Sequence, residues 1–311
     1  MGTSTRTISA TDAAPTTPIG SAPIYLDAVG TAHRRAAPGA RIACLVPSIT
    51  ELVCELGLAA QLVARTGFCV HPREVVAGIP KVGGTKDVDL VRLRELAPTH
   101  VIVNIDENLK PAVEAIARFV PHVIVTHPNA PQDNLALYQL LGGIFAREAV
   151  AARLADALRA ALGATLDATA ALPRENVLYL IWKNPWMTVA RDTYISRTLA
   201  VVGWDTVPAV CTSRYPAIDL LEAARAASLV LLSSEPYMFR APHVAQLEAE
   251  LAASPSGAPQ WRGELAAAAG IERVMLIDGE MTSWYGSRAI SGLSYLAALR
   301  LDCYNRASQR A

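Results

Sequence analysis

The sequence lacks the features that define several large classes of protein. Its five cysteines are scattered, odd in number and include no CxxC pair, so no disulfide framework is predicted and a reducing compartment is expected. Lys plus Arg and Asp plus Glu both number 28, and this balance leaves no broad basic surface for nucleic acid or a membrane. No run of eighteen uninterrupted apolar residues occurs, so no transmembrane helix and no direct membrane insertion is expected.

Common catalytic motifs are missing as well. The chain has no GxSxG, HExxH or GxGxxG, and residues 82–86, Val-Gly-Gly-Thr-Lys, lack the spacing of a phosphate loop. We therefore predict that the protein is not an enzyme. Gly83 and Gly84 of that segment indicate instead a close approach of the backbone to a ligand.

The chain does contain a repeated pattern of short apolar runs, each followed by a loop. Helical patterns separate several of these runs, and this alternation predicts parallel βαβ units. The seven predicted strands are Ile42–Val46, Val63–Thr66, Val101–Val103, Val123–Val125, Val177–Ile181, Leu229–Leu232 and Val274–Ile277.

This pattern divides into two similar halves around a long helical segment. Leucines recur every four residues from Leu154 to Leu166, which predicts one amphipathic helix of about 20 residues. The predicted fold class is α/β, with two Rossmann-like lobes joined by this single backbone helix. The predicted domains are a disordered tail at 1–23, an N-terminal lobe at 24–146, the linking helix at 147–172 and a C-terminal lobe at 173–311.

Three of the five tryptophans lie in the loops that follow predicted strands. Ligands of open α/β sheets bind beyond the carboxyl ends of the strands, so we expect a pocket there for a large, partly flat ligand. The best aromatic candidates are Trp182, Trp186, Trp284 and Tyr285, while Trp204 and Trp261 lie outside these loops and are expected to be structural. Gly84, Asn104 and Tyr237 are further candidate contacts.

Several residues allow two interpretations. Arg288 would clamp polar groups of a ligand or form a salt bridge with Glu280 or Asp278. Cys69 or His71 would be an axial ligand to cobalt or iron, or His71 would hydrogen-bond a loop.

Other polar residues have a local structural interpretation. Ser48 and Glu51 predict a capping box at the start of a helix, and Asn108 predicts a helix cap at the end of a polar loop. His100 and His122 are expected at the surface or in caps.

Together these segments resemble the helical-backbone, class III substrate-binding proteins, which bind vitamin B12, siderophores and haem. The resemblance is strongest to the corrinoid-binding branch, and it covers roughly residues 24–300. The matching segments are RIACLVPSITELVCELG at 41–57, TGFCVHP at 66–72, PKVGGTKDVDL at 80–90, YLIWKNPWM at 179–187, DTYI at 192–195, LLSSEPYMF at 231–239 and IDGEMTSWYGSR at 277–288.

The resemblance implies specific ligand contacts and two departures from the branch. The implied contacts are Phe68, Met187 beside Trp186, and Trp284 with Arg288; Thr85 and Asn104 stand where the branch has tryptophans, so the first lobe is more polar. Transport members carry an acidic residue on each lobe that docks a membrane permease. Val91 and Leu221 occupy those positions here, which argues against permease docking.

The sequence therefore predicts a soluble, cytoplasmic protein that binds a corrinoid or similar metal chelate between two lobes. The chelate is expected to be held as a ligand, without a covalent bond. One alternative is an exported, periplasmic receptor subunit of an importer for vitamin B12, siderophores or haem. The other is an enzyme that modifies a bound chelate through Cys69 or His71.

Overall fold

Two four-stranded parallel sheets form the centres of two lobes, in a computed structural model that describes residues 23–253 and 274–310. Residues 1–22 of the tail predicted at 1–23 lie outside the described residues, as does Trp261. The first sheet contains β3 (Ile42–Cys44), β4 (Leu62–Arg65), β5 (His100–Asn104) and β6 (His122–Thr126). The second contains β7 (Glu175–Leu180), β8 (Trp204–Thr206), β9 (Leu229–Ser233) and β10 (Val274–Ile277).

Both lobes repeat one topology. The sheet orders are β4-β3-β5-β6 and β10-β9-β7-β8, so in each lobe the first strand lies between the second and the third. All seven predicted strands are present, and the α/β class with two lobes is confirmed. In this topology the first and third strands meet at a switch point, where the crevice for a ligand opens.

Helices cover both faces of the sheets. Strands β5 and β9 are buried at every residue, as expected for parallel strands that have helices on both sides. The helices are α1 (Pro47–Glu55), α2 (Arg73–Val76), α3 (Leu90–Glu95), α4 (Lys110–Ala117), α5 (Asn134–Ile144), α6 (Glu148–Thr169), α7 (Tyr194–Val201), α8 (Leu220–Arg225), α9 (Ala241–Ala253), α10 (Gly279–Ser283) and α11 (Arg288–Arg310). In the described residues no helix is both long and apolar enough to cross a membrane.

The linking helix α6 packs against both α5 and the last helix, α11. Its buried stripe contains Leu158 and Leu162, as the leucine spacing predicts, but Leu166 is exposed and Thr165 is buried in its place. The stripe drifts because a helix has 3.6 residues per turn rather than four.

A short hairpin, β1 (Tyr25–Leu26) paired with β2 (Ala32–His33), docks on the first lobe. A Cβ atom added to Gly143 of α5 would lie only 2.0 Å from the Tyr25 ring. Glycine at this position therefore lets the tyrosine pack directly on the helix backbone.

Two predictions about helix caps are wrong. Helix α1 begins at Pro47 after an N-cap Val46 that makes no side-chain cap, because proline suits the first turn, so Ser48 and Glu51 do not form a capping box. The N-cap of α4 is Leu109, not Asn108, whose amide oxygen instead accepts from the Asn104 N–H at 2.9 Å.

The histidine prediction is wrong at one of its two positions. His122 is exposed, but His100 is buried and stacks on it at 4.6 Å between ring centroids. Burial, with His122 and His33 nearby, lowers the pKa of His100 to about 4.

Candidate functional site

The candidate site lies where the loops after the strands of both sheets face each other. Parallel strands present all their carboxyl ends at one edge, so each lobe contributes its loops to a shared cleft. Exposed apolar or aromatic side chains lie on these loops in both lobes, among them Phe68, Val70 and Ile105 in the first and Trp182 and Met238 in the second.

Trp284 lies at the centre of contacts that join the two lobes. Its indole N–H donates to Oε2 of Glu235 at 2.9 Å, and the Arg288 guanidinium stands 4.7 Å from the centre of its ring. The His71 ring meets it edge-on at 5.6 Å. The side chain is therefore held on three sides and only 6% of the residue is exposed.

Arg288 forms salt bridges rather than standing free as a clamp. Its Nη2 and Nε donate to the two carboxylate oxygens of Glu51 at 2.6 and 2.8 Å, and Nη1 donates to Oε2 of Glu280 at 2.6 Å. The predicted partner Glu280 is present, Asp278 is not bonded to it, and Glu51 was not foreseen. The other Glu280 oxygen lies 3.2 Å from Nε2 of His71.

Tyr285, the neighbour of Trp284, reaches the other lobe. Its hydroxyl donates to Oε1 of Glu107, which follows strand β5. Burial raises the pKa of Glu107 to about 7 although the tyrosine hydrogen bond opposes that shift. Burial also raises the pKa of Glu235, again against the effect of its indole partner.

A second polar network joins the lobes through Arg214. Its Nη2 donates to Oδ2 of Asp106 and to Oδ1 of Asn129, both at 2.8 Å. Its Nη1 lies 3.2 Å from Oδ2 of Asp192, and the Tyr215 hydroxyl donates to Asp106 at 3.3 Å. The loops after β5 and β8 are thus bonded across the cleft.

The aromatic residues of the second lobe stack on one another. Trp182 meets Tyr237 edge-on at 5.6 Å and remains 40% exposed. Trp186 lies parallel to Phe239 at 6.0 Å and packs on the core of this lobe. Met187 packs on the core of the other sheet face, and its N–H donates to the Trp182 carbonyl at 3.2 Å.

In the first lobe, Phe68 is the largest exposed candidate, with 63% of its surface open. A Cβ atom added to Gly84 would lie 3.2 Å from the Phe68 ring and 2.2 Å from a carboxylate oxygen of Asp87. The glycine pair is therefore required by packing within its own loop. Thr85 is half-buried, and its carbonyl accepts from the Asn108 amide at 3.0 Å.

Asn104 organises its loop. Its side-chain oxygen accepts from the Asp106 N–H at 2.8 Å, and the residue is buried. This bond and the Asn108 bond to its own N–H close the turn after β5. The turn fixes the positions of Asp106 and Glu107.

Cys69 is buried in the core of the first lobe, where its sulfur lies 3.1 Å from the Thr50 hydroxyl and 3.2 Å from the Thr66 hydroxyl. Burial raises the pKa of the thiol, which disfavours the thiolate form that a nucleophile or a metal ligand needs. In the described part of the chain no group of three or more His, Cys, Asp and Glu side chains could hold a metal ion.

Sequence reasoning missed several residues of the site. These residues are Glu51, Glu235, Arg214 and Tyr215, which bond across the cleft or to its tryptophan. One sequence feature could have identified Glu235 as a site residue, because it follows a buried strand as Glu107 does. Nothing in the spacing indicates that Arg214 binds Asp106 or that Glu51 binds Arg288, since each pair is separated by more than one hundred residues.

Twin parallel sheets, one long linking helix and a cleft between opposed strand-end loops define a two-lobed substrate-binding protein. The sequence model of the family described as periplasmic binding protein matches residues 42–254, and the chain belongs to this family. No curated protein sequence matches the chain.

Solved structures share the fold. The periplasmic vitamin B12-binding protein of Vibrio cholerae is 15% identical, with a TM-score of 0.70 over 85% of this chain and 97% of that one. A substrate-binding protein of an ABC transporter from Listeria monocytogenes EGD-e is 18% identical, with a TM-score of 0.67 over 84% and 98%. The apo periplasmic haem-binding protein of Roseiflexus sp. RS-1 is 22% identical, with a TM-score of 0.65 over 85% and 98%.

Proposed function

We propose that the protein binds a flat metal chelate of the corrinoid class in the cleft between its lobes. The observation that carries the proposal is the set of exposed apolar side chains on strand-end loops of both lobes. Exposed side chains of this kind, on strand-end loops of both lobes, suit a ligand with two broad apolar faces. The vitamin B12-binding protein with the same fold supports this class of ligand.

The two walls of the cleft supply different contacts. Phe68 and Ile105, exposed to 63% and 45%, offer apolar surface from the first lobe, and Trp182 and Met238, exposed to 40% and 59%, offer it from the second. An aromatic ring stacked on a flat partner contributes about 1 kcal/mol beyond the burial of its area. Binding thus depends on packing from both sides.

One candidate axial ligand reaches the cleft. His71 has a side chain that is 36% exposed, and its only described hydrogen bond is to Glu280. An imidazole nitrogen is a suitable ligand for cobalt or iron. The buried thiol of Cys69 is not part of the proposal.

The experiment is titration of the purified protein with aquacyanocobinamide, followed by the visible spectrum and by the melting temperature. A ligand that binds only the native state must raise apparent stability. Phe68→Ala and Trp182→Ala should each weaken binding about tenfold, since each removes stacking and burial of roughly 1–2 kcal/mol. Leu166→Ala is the matched control, because the exposure of Leu166 lies between those of Phe68 and Trp182 but the residue is on the linking helix α6.

Absence of any spectral change and of any rise in melting temperature at 1 mM ligand, roughly a thousand times a micromolar Kd, overturns the proposal. Equal loss in the control and in the cleft variants would show that the ligand binds elsewhere.

We also propose that the protein works in a reducing compartment, and the cytoplasm is the compartment that fits. All five cysteines are free thiols. Cell fractionation tests this directly: recovery in the periplasmic fraction would favour an exported importer receptor instead.

Permease docking of the kind expected for such a receptor has a weak basis in this chain. Val91 is 71% exposed and apolar at one expected acidic position, and Leu221 packs on the second-lobe core at the other. The nearby Asp89 and Asp219 accept hydrogen bonds from the first turns of α3 and α8, as helix caps do.

A further inference from the structure

We propose that Glu107 and Glu235 select the charge of the ligand, so that the cleft admits neutral and cationic chelates and rejects chelates that carry carboxylates. This inference rests on the proposed function, because it concerns the same cleft. It adds two specificity-determining residues and a rule for the ligand that the family fold does not supply.

The two glutamates occupy equivalent positions in the twin lobes. Glu107 follows β5 and Glu235 follows β9, and each of these strands is the third of its sheet and pairs with the first. Both carboxyls therefore lie beside a switch point, where each half of the cleft opens. A ligand bound between the lobes meets one carboxyl from each side.

One short segment holds both carboxyls. The Trp284 indole donates to Glu235 and the adjacent Tyr285 hydroxyl donates to Glu107. Both donors are neutral, and among the residues that the structure describes neither glutamate forms a salt bridge. The two hydrogen bonds fix the positions of the carboxyls, and neither donor cancels the negative charge that each carboxyl carries when it is ionised.

The other charged groups around Glu107 and Glu235 do not make the local charge positive. The charges of Lys86, Asp106 and Glu235 act electrostatically on Glu107. The Lys86 ammonium donates a hydrogen bond to the Asp106 carbonyl at 2.7 Å. Around Glu235 stand Glu280, Asp278 and Arg288. Acidic groups therefore outnumber basic ones at both positions.

The arginines that would bind a ligand carboxylate are already occupied. Arg288 is bonded to Glu51 and Glu280, and Arg214 is bonded to Asp106 and Asp192. An incoming carboxylate would have to displace a protein carboxylate from one of them. A cation or an N–H donor meets two carboxyl groups that have acceptor capacity left, since each oxygen has more than one lone pair.

The expected effect on affinity is large enough to measure. A single charge about 8 Å from a carboxylate in a partly wet cleft changes affinity by roughly five- to tenfold. Glutamine is the right substitution at both positions, because its oxygen still accepts from the indole and the phenol while the charge is lost.

The test compares three probes on the full-length protein at low ionic strength and at a pH above 8, where Glu107, whose pKa is raised to about 7, is ionised. Aquacyanocobinamide and dicyanocobinamide share one ring and differ by one positive charge, and haemin carries two carboxylates. Wild-type protein should bind them in that order. In Glu107→Gln and Glu235→Gln the preference for aquacyanocobinamide over dicyanocobinamide should fall by roughly five- to tenfold, and haemin should gain affinity by a similar factor.

Asp167→Asn is the matched control, because it removes one negative charge from an exposed position on α6. It should leave all three affinities unchanged. If the preference for aquacyanocobinamide arose from replacement of its axial water by a protein ligand, the preference would persist in both glutamine variants. That outcome would overturn the inference.

Haemin binding the wild type as tightly as aquacyanocobinamide would also overturn the selection rule, while leaving the proposed chelate-binding function intact. Failure of all three probes to bind, in variants and wild type that melt normally, would instead refute the proposed function and this inference with it.

Discussion

Burial shifts the pKa values of two first-lobe groups in opposite directions, and single substitutions should separate their effects on stability. The pKa of Glu107 rises from 4.5 to about 7, so between these values the native protein holds a proton that the unfolded chain has released. The free energy of unfolding then falls as the pH rises through this range. The pKa of His100 falls from 6.5 to about 4, so the unfolded chain binds the extra proton and the free energy of unfolding rises with pH.

Each change amounts to at most about 3 kcal/mol, since one pKa unit corresponds to about 1.4 kcal/mol. The two windows overlap between pH 4.5 and 6.5, where the contributions of the two groups oppose each other in the wild type. Glu107→Gln removes the falling contribution, and the free energy of unfolding should then rise by about 2–3 kcal/mol across this window. His100→Asn removes the rising contribution and should leave a decline that continues to pH 7.

Urea unfolding followed by tryptophan fluorescence at pH 4.5, 5.5, 6.5 and 7.5 measures all three profiles. Asparagine at position 100 still offers an acceptor for the Thr99 hydroxyl, which lies 2.8 Å from Nδ1 in the wild type. Profiles of the two variants that run parallel to the wild type would refute the reasoning, because they would show that neither group titrates differently in the folded protein.

Three further predictions concern packing and burial. Arg288→Leu leaves Glu51 and Glu280 without their shared cation and should lower the urea-derived free energy of unfolding by about 3 kcal/mol. Adding Glu51→Gln should restore part of this loss, and no loss in the single variant would mean that the ion pairs do not form. Gly143→Ala drives a methyl group into the Tyr25 ring and should lower the free energy of unfolding by about 2 kcal/mol, and this cost should vanish when Tyr25→Ala is added. Cys69 should react with Ellman's reagent only as the protein unfolds, and rapid native labelling, located by mass spectrometry, would contradict its burial.

The regular elements of this fold were predictable because their signals are local. Seven strands and the linking helix follow from apolar runs and from the spacing of leucines within single segments. The missed strand, Trp204–Thr206, has three residues and little apolar pattern, and its tryptophan is buried only because the rest of the lobe surrounds it. The error at His100 has the same cause, since burial of one residue depends on segments distant in sequence.

The sequence by itself determined the class of fold, the edge of each sheet at which the candidate site lies, and the presence of aromatic residues there. Only the tertiary structure decided which side chains of the candidate site already have partners: Arg288 and Trp284 are held by carboxylates, while Phe68 and Trp182 are exposed. Periodicity reports the backbone conformation of one segment. The partners of a charged side chain depend on how separate segments pack, and the order of residues along the chain does not indicate that packing directly.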